Sequence, residues 1–491
     1  MSLAASSETS GVLDAYRTRV RDSFLEASHG ADELVTPEGV RGENESLAGT
    51  IEAMGLAGLL AARAETRNFV QDEGITYGSA APGRRARHWS IDPIPLLIGA
   101  SEWSELQRGL AQRSRLLDLV LADIYGERTL LRRRIIPPEI VLSHPGFIRQ
   151  TDRIAAPGKR HLVMAAADLG RDTTGAWRVI SDRTQAPSGA GYAMATRRVV
   201  SRVMAGLHRG TDLARLRGFF NIMTAALQDA SPASVEPPRV VLLSPGANSE
   251  TAFEHGFLAS LLGFPVVEAD DLVMRQGKVW LRAGDRLEQV DVVLRRVDAS
   301  FSDPLELRGD SQLGIPGLIE ATRNRTVAVV NPVGAGILEN SALMAHLPAA
   351  AQALLGEELL LEGSTTWWCG DPVAHSHVKA NLGSLVIKPI SREHSTATYG
   401  WQLSAAERSS LADRINAEPW AWCAQEPMAM STAPVVTRSG LEPRRFVLRT
   451  FGVAHGDDYY FLPGGLGRVA GHIGQYTVSN YTGALAKDVW V

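Results

Sequence analysis

Two aspartates stand on what the sequence predicts to be the two arms of one hairpin. Asp168 lies on an apolar stretch that begins at Leu162, and Asp182 follows a turn at residues 172–175. If the arms pair in register on one face, the two carboxylates lie close together, which is costly without a cation between them. Magnesium takes one or two protein carboxylates together with phosphate oxygens. We therefore predict a Mg²⁺ site at these two residues; in the alternative, Asp182 is a turn residue and Asp168 an exposed acid.

Three cations stand where they could face an anion. Lys388 ends an apolar strand before a proline, so its stem packs inside while its ammonium emerges and suits phosphate oxygens. A surface lysine is the alternative. Arg449 ends a strand of alternating pattern, and Arg468 follows Gly464-Gly465, whose missing side chains let backbone approach a ligand. The fixed fork of arginine matches phosphoryl or carboxylate oxygens, so we predict both arginines as catalytic anion clamps.

The elements that must position these residues alternate between strand and helix. Residues 239–243, 265–267, 290–294 and 326–330 read as buried strands, with a helix over Glu250–Leu262, which predicts a mainly parallel sheet. Apolar spacing predicts a helix over Ser101–Ile124. Ser404 and Glu407 form a capping box that opens another helix, and Pro419 ends it.

Length and composition bound the class of protein. A chain of 491 residues exceeds the roughly 250–300 at which one core stops growing, so two or three domains are expected. The net charge of −4 gives no sign of a nucleic-acid or membrane surface, and Met1–Arg17 lacks an apolar run typical of a signal peptide. Cys369 and Cys423 are the only cysteines, which argues against a disulfide framework and indicates a cytoplasmic protein.

The order of the segments resembles a known family. The chain is similar, from about Ile91 to its end, to the circularly permuted ATP-grasp family, which is distantly related to glutathionylspermidine synthetase and other carboxylate–amine ligases. In ordinary ATP-grasp enzymes the metal-binding strand and hairpin follow the lysine strand, whereas here they precede it. The segments that carry the resemblance are 181–192, Phe253-Glu254-His255, Val290–Asp298, Pro463–Ala470 and Lys487–Trp490.

The resemblance implies a fold and a domain division. The expected fold is an α/β, circularly permuted ATP-grasp fold with an inserted parallel-sheet α/β domain, similar to a pre-ATP-grasp domain, and an N-terminal helical region. The expected units are residues 1–90, partly mobile; 91–235, a helical segment with the metal-binding half; 236–348, a substrate-facing domain; and 349–491, the ATP-binding half.

The resemblance also implies further site residues. Ala424-Gln425-Glu426 corresponds to the hinge that holds adenine and ribose, so Gln425 and Glu426 are expected to bind ATP. Ser391 belongs to the loop Ile390–Gly400, whose hydroxyl groups could replace the backbone amides of a glycine-rich lid. Lys487 matches the family's Lys-Asp-Trp-Val ending and is expected to be catalytic. Arg295 is expected to be catalytic as well, and the residues expected to bind substrate are Arg296, Asp298, Asn331, Ser188 and Glu254. For the arginine and aspartate cluster, an ion-pair network is an equal alternative. For Asn331, an ordinary loop is the favoured alternative.

The implied activity is ATP-dependent ligation of a small-molecule or peptide carboxylate to an amine through an acyl phosphate, with ATP and Mg²⁺ as cofactors. Two departures favour another interpretation. The loop after Lys388 has no glycine before Gly400, and Ser181-Asp182-Arg183 stands where many ATP-grasp proteins have Glu-x-Asn. The alternative is therefore a catalytically degenerate nucleotide-binding or scaffold protein in a complex, with a helical domain supplied by a partner chain. A kinase-like phosphotransferase is a third possibility.

Overall fold

A computed structural model describes residues 11–26, 31–78, 86–156, 158–232, 237–391 and 397–491. Residues 79–85 of the N-terminal unit that was expected to be partly mobile, and residues 392–396 of the loop that follows Lys388, lie outside them. The helices are α1 Val12–Glu26, α2 Glu45–Asp72, α3 Ala100–Ile124, α4 Thr129–Arg132, α5 Pro138–Leu142, α6 Ala190–Val203, α7 Ala205–Gly210, α8 Arg217–Asp229, α9 Ala252–Leu262, α10 Leu318–Arg323, α11 Leu347–Leu354, α12 Pro372–Ala380 and α13 Ala405–Ala417.

The strands alternate with these helices along much of the chain. They are β1 Thr76–Tyr77, β2 Arg87–His88, β3 Leu96–Leu97, β4 Met164–Arg171, β5 Trp177–Arg183, β6 Val240–Leu243, β7 Val266–Val267, β8 Leu272–Arg275, β9 Lys278–Ala283, β10 Arg286–Gln289, β11 Val292–Arg295, β12 Ala328–Val330, β13 Thr366–Trp368, β14 Val386–Pro389, β15 Thr398–Tyr399, β16 Trp422–Gln425, β17 Thr432–Thr437, β18 Gly440–His455, β19 Asp458–Phe461, β20 Leu466–Val469, β21 Leu485–Lys487 and β22 Val489–Trp490.

The central sheet joins two distant parts of the chain. Its strands run in the order β21–β20–β18–β4–β5, and β17 and β19 also pair with β18. The long strand β18 lies antiparallel to β4 and sets Arg449 opposite Asp168. The C-terminal strands and the predicted hairpin therefore form one surface, although about 280 residues separate these two positions in sequence.

A parallel sheet forms the middle of the chain, as the alternation of strands and helices predicts. Its order is β12–β11–β6–β7, and all three pairings are parallel. Every residue of β6 is buried, because helices and loops cover both faces of such sheets. Leu242 and Leu294 pack into one core cluster, whereas Val241 and Val293 pack into another on the opposite face.

A smaller antiparallel sheet, β13–β16–β14–β15, carries Lys388 and Gln425 on neighbouring strands. Helix α13 follows it in sequence from the predicted capping box: the Ser404 hydroxyl accepts the Glu407 N–H, and the Glu407 carboxylate accepts the Ser404 N–H. Leu411 and Ile415 of that helix pack with Ile387 in the core under this sheet.

The N-terminal helices pack on the rest of the chain. Helix α1 contacts β18, and α2 contacts α1 and α6. Among the described residues, one helical stretch, Gly42–Asp72, meets the length and composition of a membrane span, which is weak evidence since core helices of soluble proteins meet them too. Leu47, Ile51 and Leu59 of α2 belong to the main hydrophobic core.

The hairpin register places the two predicted metal ligands on opposite faces. Asp168 pairs with Ser181, and Asp182 pairs with Ala167, so one residue of offset separates the two acids. Since successive side chains of a strand point to opposite faces, the prediction of a shared metal ion was wrong. The Asp182 carboxylate instead accepts two hydrogen bonds from Arg113 of α3, at 2.8 and 2.7 Å, in the protein interior.

Asp182→Asn is expected to destabilise the fold, because it leaves the Arg113 guanidinium buried without a counterion. The loss in free energy of unfolding should be about 3–5 kcal/mol, as when one partner of a buried ion pair is removed. Urea denaturation, monitored by circular dichroism, measures this loss in free energy of unfolding. The matched control is Asp413→Asn at an exposed position of α13, which should change stability by less than about 0.5 kcal/mol. Equal effects of the two substitutions would contradict a structural role for the Arg113–Asp182 pair.

Candidate functional site

A cavity of about 430 Å³, the main cleft, opens between the smaller antiparallel sheet and the central sheet. Lys388, Gln425 and Glu426 line one side, and Asp168 and Arg468 line the other. Two parts of the chain that are far apart in sequence thus meet at one cavity, as the predicted site requires. Its remaining walls include apolar side chains and hydroxyl groups, among them Ile180, Ser181, Val386, Tyr399, Met428, Met430, Val447 and Tyr476.

Lys388 reaches the cleft from β14 and donates a hydrogen bond to the side-chain oxygen of Gln425. Burial lowers the pKa of Lys388 from its ordinary value. The Gln425 amide nitrogen donates to the Thr366 hydroxyl at 3.0 Å, which fixes the orientation of the Gln425 side chain. This neighbourhood holds a positive charge on rigid strands at the cleft wall.

The other residues predicted to bind ATP stand less favourably. Glu426 is exposed at the cleft, but its backbone N–H donates to Thr365 and is unavailable to a ligand. Ser391 is not among the described residues that line the cleft. The role of Ser391 stays a prediction, because residues 392–396 of its loop lie outside the described part of the chain.

Asp168 holds three arginines together at the floor of the cleft. Its carboxylate accepts hydrogen bonds from Arg449 at 2.8 and 2.9 Å, from Arg468 at 2.6 Å, and from Arg183 at 3.1 and 3.2 Å. Burial alone would raise the pKa of Asp168, but the arginines, with Arg449 foremost, hold it well below its usual range. We call these four residues the arginine cluster. Its three guanidinium groups outnumber its one carboxylate, so it can hold a further anion.

Arg468 is the member of the cluster with hydrogen-bonding capacity to spare. Its side chain is 8% exposed, and its Nε is buried without a hydrogen-bond partner. Burial, followed by repulsion from Arg449, lowers its pKa to about 10. An anion that entered the cleft would therefore relieve the cost of this buried charge.

The arginine cluster does not fit a protein-held magnesium ion. Both oxygens of Asp168 already accept from guanidinium groups, and Asp182 faces away from the cleft. Among the described residues, no group of three or more His, Cys, Asp or Glu side chains could hold a metal ion.

A second cavity, of about 190 Å³, lies on the other side of the arginine cluster; we call it the side pocket. Arg183 and Arg468 line both cavities, whereas Arg449 and the predicted substrate residue Ser188 line the side pocket. Its other lining residues are Tyr77, Trp89, Gly189, Tyr192, Thr251, Leu466, Ser479, Asn480 and Tyr481. Anions in the two cavities would therefore meet at the same guanidinium groups.

Residues 470–484, between β20 and β21, contribute to both cavities, and we call them the bridging loop. Ser479 and Tyr481 line the main cleft and the side pocket alike. The Thr477 and Tyr399 hydroxyl groups lie 2.9 Å apart, and the Tyr481 hydroxyl donates to Glu250 at 2.5 Å. Sequence reasoning missed this loop and Arg183, since no periodicity marks the loop; its cluster of hydroxyl-bearing residues was the available signal.

The structure places Lys487, predicted as catalytic, away from both cavities. It pairs with Gly467, whereas Arg468 pairs with Ala486, so Lys487 and Arg468 point to opposite faces of the sheet. The Lys487 ammonium is fully buried and donates to the Asp92 carboxylate at 2.6 Å and to the Ile94 carbonyl at 2.7 Å. Lys487 therefore stabilises the fold away from both cavities.

Arg295 and Asn331, predicted for catalysis and substrate binding, are also structural. The buried Arg295 guanidinium donates to the Val297 and Gln185 carbonyls. The Asn331 amide accepts from the Met164 N–H and donates to the Met164 and Thr184 carbonyls, at distances of 2.6 to 2.9 Å. Neither residue is among those that line the two cavities, because each satisfies buried backbone groups.

Glu254, Arg296 and Asp298 do not line the side pocket. They instead bind residues 185–191, the segment beside that pocket. Glu254 accepts from the backbone N–H groups of Gly189 and Gly191, at 2.5 and 3.0 Å. Arg296 donates to Glu254 at 3.2 Å and to the Pro187 carbonyl at 2.7 Å. Asp298 is exposed and accepts from the Gln185 amide. The structure therefore does not bring these three predicted substrate residues to the pocket lining, and the ion-pair alternative describes Glu254 and Arg296.

The chain is similar in sequence to several bacterial proteins. It is 42% identical over its whole length to an uncharacterized protein of Mycobacterium tuberculosis, of which it spans 57%. An uncharacterized Mycobacterium leprae protein is 35% identical over 88% of this chain and 77% of its own length. An uncharacterized Synechocystis protein is 34% identical over 82% of this chain and 84% of its own length. The chain thus spans little more than half of the first of these relatives.

A solved structure and a family profile identify the fold of the chain. The structure of a glutathione synthetase-like effector from Globodera pallida, in its apo form, superimposes with a TM-score of 0.55 over 88% of this chain and 97% of the effector. Only 11% of the aligned residues are identical, so the likeness concerns the fold. Residues 95–470 match the profile of one family. The chain belongs to the circularly permuted ATP-grasp type 2 family.

Proposed function

We propose that the protein is an ATP-dependent ligase that joins a carboxylate to an amine through an acyl phosphate. Membership of the ATP-grasp family suggests ATP-dependent ligase activity. The observation that carries the finer proposal is the placement of the arginine cluster between two cavities. Arg183 and Arg468 line both, so a phosphate in the main cleft and a carboxylate in the side pocket would share these donors.

The main cleft supplies what a nucleotide needs. Its apolar walls, which include Ile180, Val386 and Met428, can cover the faces of a base. Lys388 and Arg468 supply positive charge for the phosphates. The nucleotide would therefore lie with its base toward the smaller antiparallel sheet and its last phosphate at the arginine cluster.

The proposed chemistry has two steps. A carboxylate oxygen attacks the γ-phosphorus, and the bond from phosphorus to the β,γ-bridging oxygen breaks. ADP departs, and the acid is now an acyl phosphate. An amine nitrogen then attacks the acyl carbon and expels inorganic phosphate, while its proton passes to solvent. Arg449 and Arg468 offset the charge that builds on the transferred group, as fixed guanidinium groups do in phosphoryl transfer.

ATP-grasp proteins in general bind ATP together with magnesium. In this chain the described carboxylates do not form a site for that ion, since Asp168 is bound to arginines and Asp182 to Arg113. We therefore assign no step of the reaction to a protein-held metal ion.

The same observation favours a second candidate function. A nucleotide-binding or scaffold protein without turnover needs the cleft but no metal carboxylates. Under this alternative, a helical domain on a partner chain would complete the assembly. The two buried thiols, Cys369 and Cys423, agree with a cytoplasmic location for either function.

The ligase proposal predicts ATP-dependent trapping of an activated acid. With ATP, magnesium salt and a pool of amino acids and peptides, added hydroxylamine should yield hydroxamates together with equal amounts of ADP. Arg449→Lys should lower the rate by about a hundredfold, because lysine cannot keep the two hydrogen bonds to Asp168 that hold the arginine cluster in place at the side pocket. The matched control, Arg438→Lys at an exposed turn, should leave the rate unchanged.

Other outcomes of the trapping experiment separate the rival functions. Nucleotide binding without ADP release, with every acid pool, would contradict the ligase and favour the scaffold. A phosphorylated product that is stable to hydroxylamine would contradict the ligase in favour of a kinase-like phosphotransferase.

Lys388→Met should weaken ATP binding by about 1–3 kcal/mol, because the phosphates lose a charged donor. Calorimetric titration with ATP measures the change. The folded state itself should lose little stability, since burial already disfavours the Lys388 charge. The control is Lys379→Met on the exposed face of α12, and an equal affinity in both variants would remove Lys388 from the proposed site.

A further inference from the structure

We infer that the side pocket binds the acid substrate, and that this substrate is a carboxylic acid whose α-amino group is acylated or absent. An N-acyl amino acid and the C-terminal residue of a peptide belong to this class. The inference rests on the proposed function and names the substrate of that same site. It follows from the charges, hydroxyl groups and aromatic rings that line the side pocket.

The charge of the side pocket selects an anion. Its described lining includes Arg183, Arg449 and Arg468, and no Asp or Glu. Asp168 lies behind these arginines and is already bound by all three. Arg468 lines the pocket and donates to Asp168 through one terminal nitrogen, so a carboxylate that entered could gain a charge-assisted hydrogen bond from the same guanidinium.

A free α-ammonium group would find no counterion there. Acids that contact the pocket wall already have partners: Glu339, 4.0 Å from Arg183, accepts the Thr184 and Gln185 N–H groups. Glu254 holds the N–H groups of Gly189 and Gly191, and Glu250 accepts the Tyr481 hydroxyl. A desolvated ammonium beside three guanidinium groups pays both for lost hydration and for repulsion between like charges.

An amide nitrogen, by contrast, suits the neutral part of the lining. Ser188 and Asn480 line the pocket and carry side-chain oxygens of the kind that accept a hydrogen bond from an amide N–H, whereas the Thr251 hydroxyl already lies 3.0 Å from His255 Nε2. An amide group needs no counterion, so it can leave water at much lower cost than an ammonium. The pocket therefore favours an acylated nitrogen next to the bound carboxylate.

Aromatic rings form the remaining wall. Trp89 and Tyr192 stack with their centroids 4.3 Å apart, and Tyr77 lies 5.7 Å from Trp89. A cation over such a ring would gain about 0.5–2 kcal/mol, but Trp89 and Tyr192 already cover one face of each other. Three neighbouring arginines outweigh that gain, and the rings instead suit the flat acyl or peptide group.

Binding titrations with matched acids test the inference without requiring turnover. L-alanine, L-glutamate and L-phenylalanine are each compared with their N-acetyl derivatives by calorimetry, with and without saturating β,γ-methylene-ATP. We expect at least one N-acetyl acid to bind, and to bind at least about tenfold more tightly than its free counterpart.

A substitution that adds a negative charge to the pocket sharpens the test. Asn480→Asp adds a carboxylate that can pair with an ammonium, so the preference for the N-acetyl acid should fall by about tenfold. Asn68→Asp, at an exposed position of α2, should leave the preference unchanged. Circular dichroism confirms that each variant is folded.

Three outcomes would overturn the inference: a free amino acid binds as tightly as its N-acetyl form, no acid binds although the nucleotide analogue does, or Asn480→Asp leaves the preference unchanged. Failure of the proposed function has a different signature. N-acetyl acids would then bind with the expected preference, while ATP yields neither ADP nor hydroxamate in their presence.

Discussion

One carboxylate, Asp168, holds three guanidinium groups together, and the geometry of both cavities depends on that contact. Arg183, Arg449 and Arg468 come from three different strands, and each donates to Asp168. Guanidinium groups this close would repel one another in a poorly hydrated interior. Because Asp168 lies opposite Arg449 in the sheet, strand pairing itself brings the counterion to the arginines. The fold thus holds a site with excess positive charge, ready for an anion.

Much of the architecture could be predicted from sequence because local patterns are strong there. Alternating and apolar runs gave the strands that became β4, β5, β14 and β18, and the capping box at Ser404 opens α13 as expected. The pairing of β18 with β4 has no local signature, since the two strands are distant in sequence. That contact followed only from the resemblance to proteins with the same segments in rotated order, which the family match now supports.

Four of the predicted site residues lie away from both cavities, for two physical reasons. Asp182 and Lys487 lie on the correct strands but one position away from the required face, and only the exact register reveals that. Arg295 and Asn331 are drawn inward by carbonyl groups of buried turns, and sequence does not show which backbone groups lack partners. The strand register also hid Arg183 as a hydrogen-bond donor to Asp168, because Arg183 lies on the face that Asp182 was expected to occupy.

The bridging loop forms part of the wall of both cavities. Ser479 and Tyr481 belong to both walls, so an occupant that displaced them from one cavity would also alter the other. By thermodynamic linkage, the two occupants must then change each other's affinity by the same factor. Nucleotide and acid would consequently bind synergistically or antagonistically rather than independently, and the sign would be set by a stretch of chain that contributes no charged group to either cavity.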